Sequence, residues 1–186
     1  VSARRWLAGA LAAASLVTVA GCSSSAGDQP APAAVAVATP PRPADGLRGP
    51  YPVVRVVDGD TIIVRTPSGD ERVRMIGIDT PESVAPNRPV ECFGPEASAE
   101  TARLLDGAAV DLEMDPGQGE RDRYDRLLAY VWRGDRLINL DLIASGFGYE
   151  YTYDDAYAYQ REFQDAERRA RATQEGLWAV SACGSA

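Results

Sequence analysis

The sequence predicts an α+β domain in which strands dominate, with about five strands and three helices over roughly 130 residues. Three observations carry that reading. Short runs rich in β-branched residues, among them Val53 to Val57, Ile62 to Val64 and Ala109 to Met114, are bounded by Gly, Asp and Pro turns. Two longer stretches place apolar side chains at helical spacing: Ala97, Thr101, Leu104 and Leu105, then Tyr159, Phe163, Ala166 and Ala170. No internal repeat is visible, and the patterned region is long enough for one core.

Residues 1–22 read as a secretion signal. Arg4 and Arg5 form a basic start, Leu7 to Val19 an apolar run, and Val19-Ala20-Gly21-Cys22 resembles the bacterial lipobox that precedes a lipid-modified cysteine. The run is shorter than the ~20 residues of a membrane span; an uncleaved anchor is the alternative. Either way the domain is expected outside the cytoplasm. With a lipid on Cys22 it would sit on the outer face of the cell membrane, a released form being a second state. Residues 23–50 are Ser, Ala, Pro and Gly with few large apolar side chains, too little to offset chain entropy, and read as a semi-extended tether. The domain is expected over residues 51–186.

Within it, Asp58-Gly59-Asp60 turns one strand into the next, and Pro67-Ser68-Gly69-Asp70 makes a second turn. Val73 and Met75 then alternate with Arg72 and Arg74, the first pair toward a core and the second away from it. Pro81 ends the ladder after Ile78. Ser83 to Cys92 is a polar loop, and Pro95 and Glu96 suit the first turn of a helix. Leu127 to Trp132 forms a further strand and Gly134-Asp135 a turn. Asn139 is expected to cap a short helix over Leu140 to Ser145, ended by Gly146, and Asp154 or Asp155 to cap the last one. Leu177 and Trp178 are expected to fold back as a hydrophobic plug. With Cys22 assigned to the lipid, Cys92 and Cys183 remain as an even pair in an oxidising compartment, which predicts a disulfide; two free thiols are the alternative.

The chain has no histidine, and all 19 of its basic residues are arginine. Histidine-based acid–base chemistry, histidine-ligated zinc, the Ser-His-Asp triad, P-loops and Schiff bases are therefore excluded. What remains is carboxylate and guanidinium. Between Val54 and Glu82 the chain gathers Asp58, Asp60, Asp79, Glu82, Arg72 and Arg74 on strand ends and turns, where acidic oxygens suit a hard cation such as Ca2+.

The order DGDT, an arginine-bearing strand, I-D-T-P-E, GPEAS and R-Y-x-R-x-L-A-Y resembles the staphylococcal nuclease family from about Val54 to Trp178. That resemblance implies a five-stranded Greek-key barrel of the oligonucleotide-binding type with three helices packed on it. It also implies a Ca2+ site formed by Asp60, Asp79 and the Thr80 carbonyl. Glu82 would orient or deprotonate water, and Arg74 and Arg126 would grip the phosphate. Arg123, Tyr124, Tyr151 and Tyr153 would bind substrate, the tyrosines by stacking on bases of single-stranded DNA or RNA. From the residues alone, Arg126 is expected rather to pair with a neighbouring carboxylate, and the tyrosines could belong to the core or to an interface.

The net charge is −8, and only Asp28 and Asp45 of the acidic residues precede Tyr51. Such a domain is expected to bind long duplexes weakly and to capture phosphates locally through Arg74 and Arg126, with Arg88 and Arg123 as further candidates, as a monomer. Two other functions fit less well. One is an inactive lipid-anchored barrel that binds oligonucleotides or a protein; the other is a glycan hydrolase using Glu82 with Asp58 or Asp79. Two arginines beside the carboxylates suit a phosphate better than a sugar.

Overall fold

The computed structural model describes residues 38–84 and 89–183. The secretion signal, Cys22 and the first part of the tether lie outside the described residues. Among those described, no helix is long and apolar enough to cross a membrane.

Five strands close on one another. Strand β1 (Leu47–Asp58) is long enough to serve two neighbours. Its second half pairs antiparallel with β2 (Thr61–Thr66), Val53 opposite Val64, and β2 pairs with β3 (Gly69–Met75). Its first half pairs with β5 (Ala109–Glu113), Leu47 opposite Glu113. Register shifts between Arg48 and Tyr51 and between Val53 and Arg55 let β1 bend from one sheet half into the other. Strand β6 (Leu127–Arg133) is antiparallel to β5 and parallel to β3, Val73 opposite Leu127. That last pairing closes the ring β3-β2-β1-β5-β6, the expected Greek-key barrel. The barrel starts earlier than Tyr51, because Leu47 and Arg48 already pair with β5.

Alternation decides which side chains go inward. Ile62 and Val64, Val73 and Met75, Val110 and Leu112, and Ala129 and Val131 are all buried. β6 is buried on both faces, since Tyr130 and Trp132 also have no exposure. Their face receives helix α3 (Gln160–Thr173), where Phe163 lies 6.3 Å from Tyr130 and Tyr159 meets Tyr130 edge-on at 4.7 Å. Covering a Phe of this kind contributes about 2–3 kcal/mol.

Helix α1 (Gly94–Leu105) buries Ala97, Thr101, Leu104 and Leu105 as its spacing predicts, with Pro95 in its first turn. Helix α2 (Ile138–Ala144) begins at Ile138 rather than Leu140, and Leu137 stands at its N-cap. Asn139 does not cap it. Its fully buried side chain accepts the Val131 N–H at 2.9 Å and donates to Ile76 O at 2.9 Å, so a tertiary demand displaces the local one. Likewise Tyr159, not Asp154 or Asp155, precedes α3. Trp178, in the single turn Gly176–Trp178, is half-buried rather than a core plug, and packs edge-on against Tyr149 at 5.2 Å.

Three two-residue strands complete the set; the expected Gly134-Asp135 turn leads into the first, and the pairing of the other two was not foreseen. β7 (Arg136–Leu137) extends β6, while β4 (Ile78–Asp79) and β8 (Tyr149–Glu150) form a separate pair with Asp79 opposite Tyr149. Cys92 and Cys183 are joined in a disulfide with Cα atoms 5.7 Å apart.

Candidate active site

The site assembles at one lip of the barrel, where the β1–β2 turn meets the end of β4. Asp60 is buried there. Its Oδ1 accepts the Thr61 hydroxyl at 2.9 Å, and its Oδ2 accepts the Thr80 N–H at 3.1 Å and the Thr80 hydroxyl at 3.3 Å. Gly59 makes this approach possible, because a Cβ there would lie 2.6 Å from Thr80 Oγ1. From α1, the Thr101 hydroxyl donates to Gly59 O at 2.6 Å and holds the turn from behind.

Arg74 leaves β3 one residue before its end, with a side chain only 13% exposed. Its Nη1 donates to Met75 O at 2.7 Å and Ile78 O at 2.6 Å. Its Nη2 donates to Asp79 Oδ1 at 2.9 Å and lies 3.3 Å from Asp60 Oδ2. Asp60 and Asp79 therefore converge on one nitrogen. Burial pushes the Asp79 carboxyl up although its outer half reaches solvent; Arg74 opposes this, and the charges of Asp60, Glu91 and Glu82 reinforce it.

Glu82 stands beside this pair. Its backbone N–H donates to Glu91 Oε2 at 3.1 Å and its Oε1 accepts the Val84 N–H at 3.0 Å. Its carboxyl also shares a hydrogen bond with Asp58, whose own carboxyl is pushed up to about 6. Burial is the main cause there, helped by Glu82 and the charge of Asp60. The Ser83 hydroxyl, donating to Asp58 at 2.6 Å, and the Gly59 N–H, at 2.8 Å, pull the other way.

Whether these groups fit a metal is a question of donor chemistry. Among the described residues, no three acidic, histidine or cysteine side chains cluster as a cage. The two converging carboxylates with the neighbouring Thr80 backbone form an all-oxygen set with excess negative charge, which suits a hard cation completed by water. Zinc would ask for nitrogen or sulfur.

The remaining predicted residues lie on other loops. Arg126, just before β6, is held by Asp122 through Nε at 2.7 Å and Nη2 at 2.6 Å, the pairing its neighbours had suggested. Asp122 also accepts the backbone N–H groups of Tyr124 at 2.9 Å and Arg126 at 3.0 Å. Burial alone would raise its carboxyl, but these donors outweigh it and hold it below the usual range. The loop is thus built around Asp122, which a turn-forming Asp two residues before Tyr124 could have signalled. Tyr124 is 64% exposed and takes a hydrogen bond from Arg123 at 2.8 Å. Tyr151 and Tyr153 are exposed, with ring centres 6.3 Å apart, whereas Tyr157 and Tyr159 belong to the core. Arg88 lies outside the described residues.

Comparison with known proteins agrees with the geometry. Residues 72–180 match the family described as "Staphylococcal nuclease homologue". The chain is 44% identical over 128 residues to a "Thermonuclease" of Staphylococcus hyicus, covering 69% of this chain and 75% of that protein. It is 42% identical over 128 residues to a "Thermonuclease" of Staphylococcus intermedius, with the same coverage. Against "Endonuclease YncB" of Bacillus subtilis (strain 168) the identity is 34% over 128 residues, 68% of this chain and 60% of that protein. In barrel topology and in similarity over most of its length, the chain belongs to the staphylococcal nuclease family.

Proposed function

We propose that this chain is a calcium-dependent nuclease, working outside the cytoplasm, that hydrolyses phosphodiester bonds of DNA or RNA by attack of water on phosphorus. The convergence of Asp60 and Asp79 on Arg74 Nη2, with Glu82 alongside, carries the reading; the similarity to thermonucleases and endonucleases supports it.

Bound there, Ca2+ would supply Lewis acidity and a fixed seat for a phosphoryl oxygen. Asp60, Asp79 and the Thr80 carbonyl would hold it. Glu82 orients the attacking water and takes its proton. Arg74 exchanges a carboxylate contact for a phosphate oxygen, and Arg126 does the same at Asp122, each fork stabilising charge as it grows. Arg123 steadies the flanking backbone. Tyr124, Tyr151 and Tyr153 offer exposed ring faces, suited to the unpaired bases of single strands. A lipid on Cys22 would hold the monomeric domain at the outer face of the membrane.

The test is hydrolysis of single-stranded DNA and of RNA, with Ca2+ and with chelator. Cleavage should need Ca2+ and fall by about a hundredfold or more in Glu82→Gln and in Arg126→Ala. Full-strength cleavage by both variants would overturn the assignment. Oligonucleotide binding without cleavage by the folded wild type would leave a binding module instead.

A further inference from the structure

We infer that the Cys92–Cys183 disulfide is a redox control on Glu82, with Glu91 as the positioning residue between them. This rests on the catalytic role proposed for Glu82.

Glu91 grips the backbone of Glu82 from both sides. The Glu91 N–H donates to Glu82 O at 2.8 Å, and the Glu82 N–H donates to Glu91 Oε2 at 3.1 Å. Gly94 lies close beneath, where a Cβ would come 2.5 Å from Glu82 O. The residue after Glu91 is Cys92, bonded to Cys183.

The segment carrying Cys183 is seated independently of Cys92. The Leu177 N–H donates to Gly146 O at 2.8 Å, and Trp178 packs edge-on against Tyr149 with the Arg171 guanidinium 3.9 Å over its ring. Tyr149 is in turn the cross-strand partner of Asp79. The tail therefore stands as a fixed post, and the disulfide ties the Glu91 grip to it. Glu91, Cys92 and Cys183 are all exposed. The Gly94 N–H also donates to Glu91 O at 3.0 Å, and the disulfide adds a covalent tie to these hydrogen bonds, tightening the placement of Glu82.

A dithiol reductant can reach the bond. Its thiolate attacks one sulfur to form a mixed disulfide, and its second thiol closes into a cyclic disulfide. Two electrons pass to the protein, and Cys92 and Cys183 leave as thiols after taking up two protons. The Glu91 grip then lacks its covalent tie, and Glu82 loses its fixed position.

The experiment uses the full chain, with steady-state cleavage of single-stranded DNA in Ca2+ before and after dithiothreitol and near-UV circular dichroism to follow folding. Reduction should lower kcat about ten- to a hundredfold with KM changed less than about twofold, and reoxidation should restore it. Cys92→Ser/Cys183→Ser should match the reduced wild type. With the disulfide intact, Glu91→Ala should lower kcat to the same degree, while Glu91→Gln, whose amide oxygen accepts the same N–H, should keep it; loss of charge, common to both, cannot explain that contrast.

Full kcat in the reduced, folded chain would overturn the control and leave the nuclease standing. If reduction unfolds the chain, the Glu91 variants decide, and wild-type kcat in Glu91→Ala overturns the proposal. An inert oxidised wild type would overturn both the control and the nuclease reading.

Discussion

Asn139 and Arg74 show how much one side chain can organise here. Asn139 joins Val131 of β6 to Ile76 ahead of β4 through its amide, with no water in reach to replace either bond. Asn139→Ala is expected to cost about 2–4 kcal/mol, since two buried backbone groups lose their partners; urea unfolding would register it as a lower midpoint at unchanged slope. Neither role was readable from neighbouring residues. Asn before an apolar run looks like a helix cap, and only the fold reveals that α2 passes behind β6. The convergence of Asp60 and Asp79, by contrast, was legible, because strand ends and turns can aim carboxylates at one point, whereas Arg74 entered the group only through the family resemblance. Arg126 lay between the two cases: the residues alone favoured pairing with a neighbouring carboxylate, which is Asp122, and only the resemblance assigned it to a phosphate.

At the scale of elements, the β6–α3 layer concentrates buried hydroxyls. Tyr130 donates to Asp115 at 2.7 Å, Tyr157 to Glu150 at 2.9 Å and Tyr159 to Glu113 at 2.9 Å. Burial first, then the accepting carboxylates, pushes all three phenols well above their ordinary range. The folded chain thus keeps these protons where an unfolded chain, with phenols near 10, releases them. Stability from this layer is full below about pH 10 and is lost as pH rises beyond it. Tyrosinate absorbance should show Tyr130, Tyr157 and Tyr159 ionising only together with unfolding; their independent early ionisation would contradict the layer's role. Long elements of this kind were legible from periodicity. The two-residue pair β4 and β8 was not, because so short a run has no period, and its pairing is decided by what it lies against, whereas the Gly134-Asp135 turn signalled β7.

Over the whole molecule, a net charge of −8 and a basic set made only of arginine describe a surface that does not attract nucleic acid at long range. Capture falls to a few guanidinium groups near the site. If Arg74, Arg123 and Arg126 make the phosphate contacts, log affinity for a single-stranded oligonucleotide should fall with log salt at a slope of about −2. Titration from low to physiological salt would measure it, and a much steeper slope would mean a larger basic footprint than these three provide.

The closure of β3 on β6 also sets an order of events. It is the parallel pair, drawn from distant parts of the chain, and it places Arg74 opposite Leu128. Loop-closure entropy makes such a pairing among the slower to form. Pairing of β2 with β3, Thr61 opposite Arg74, already brings Arg74 to Asp60, but the loop ahead of β6 that holds Asp122 and Arg126 joins them only when that seam is shut. A half-made chain is therefore expected to have a ladder of strands without a complete centre, and competence to cut arrives with the final fastening of the barrel.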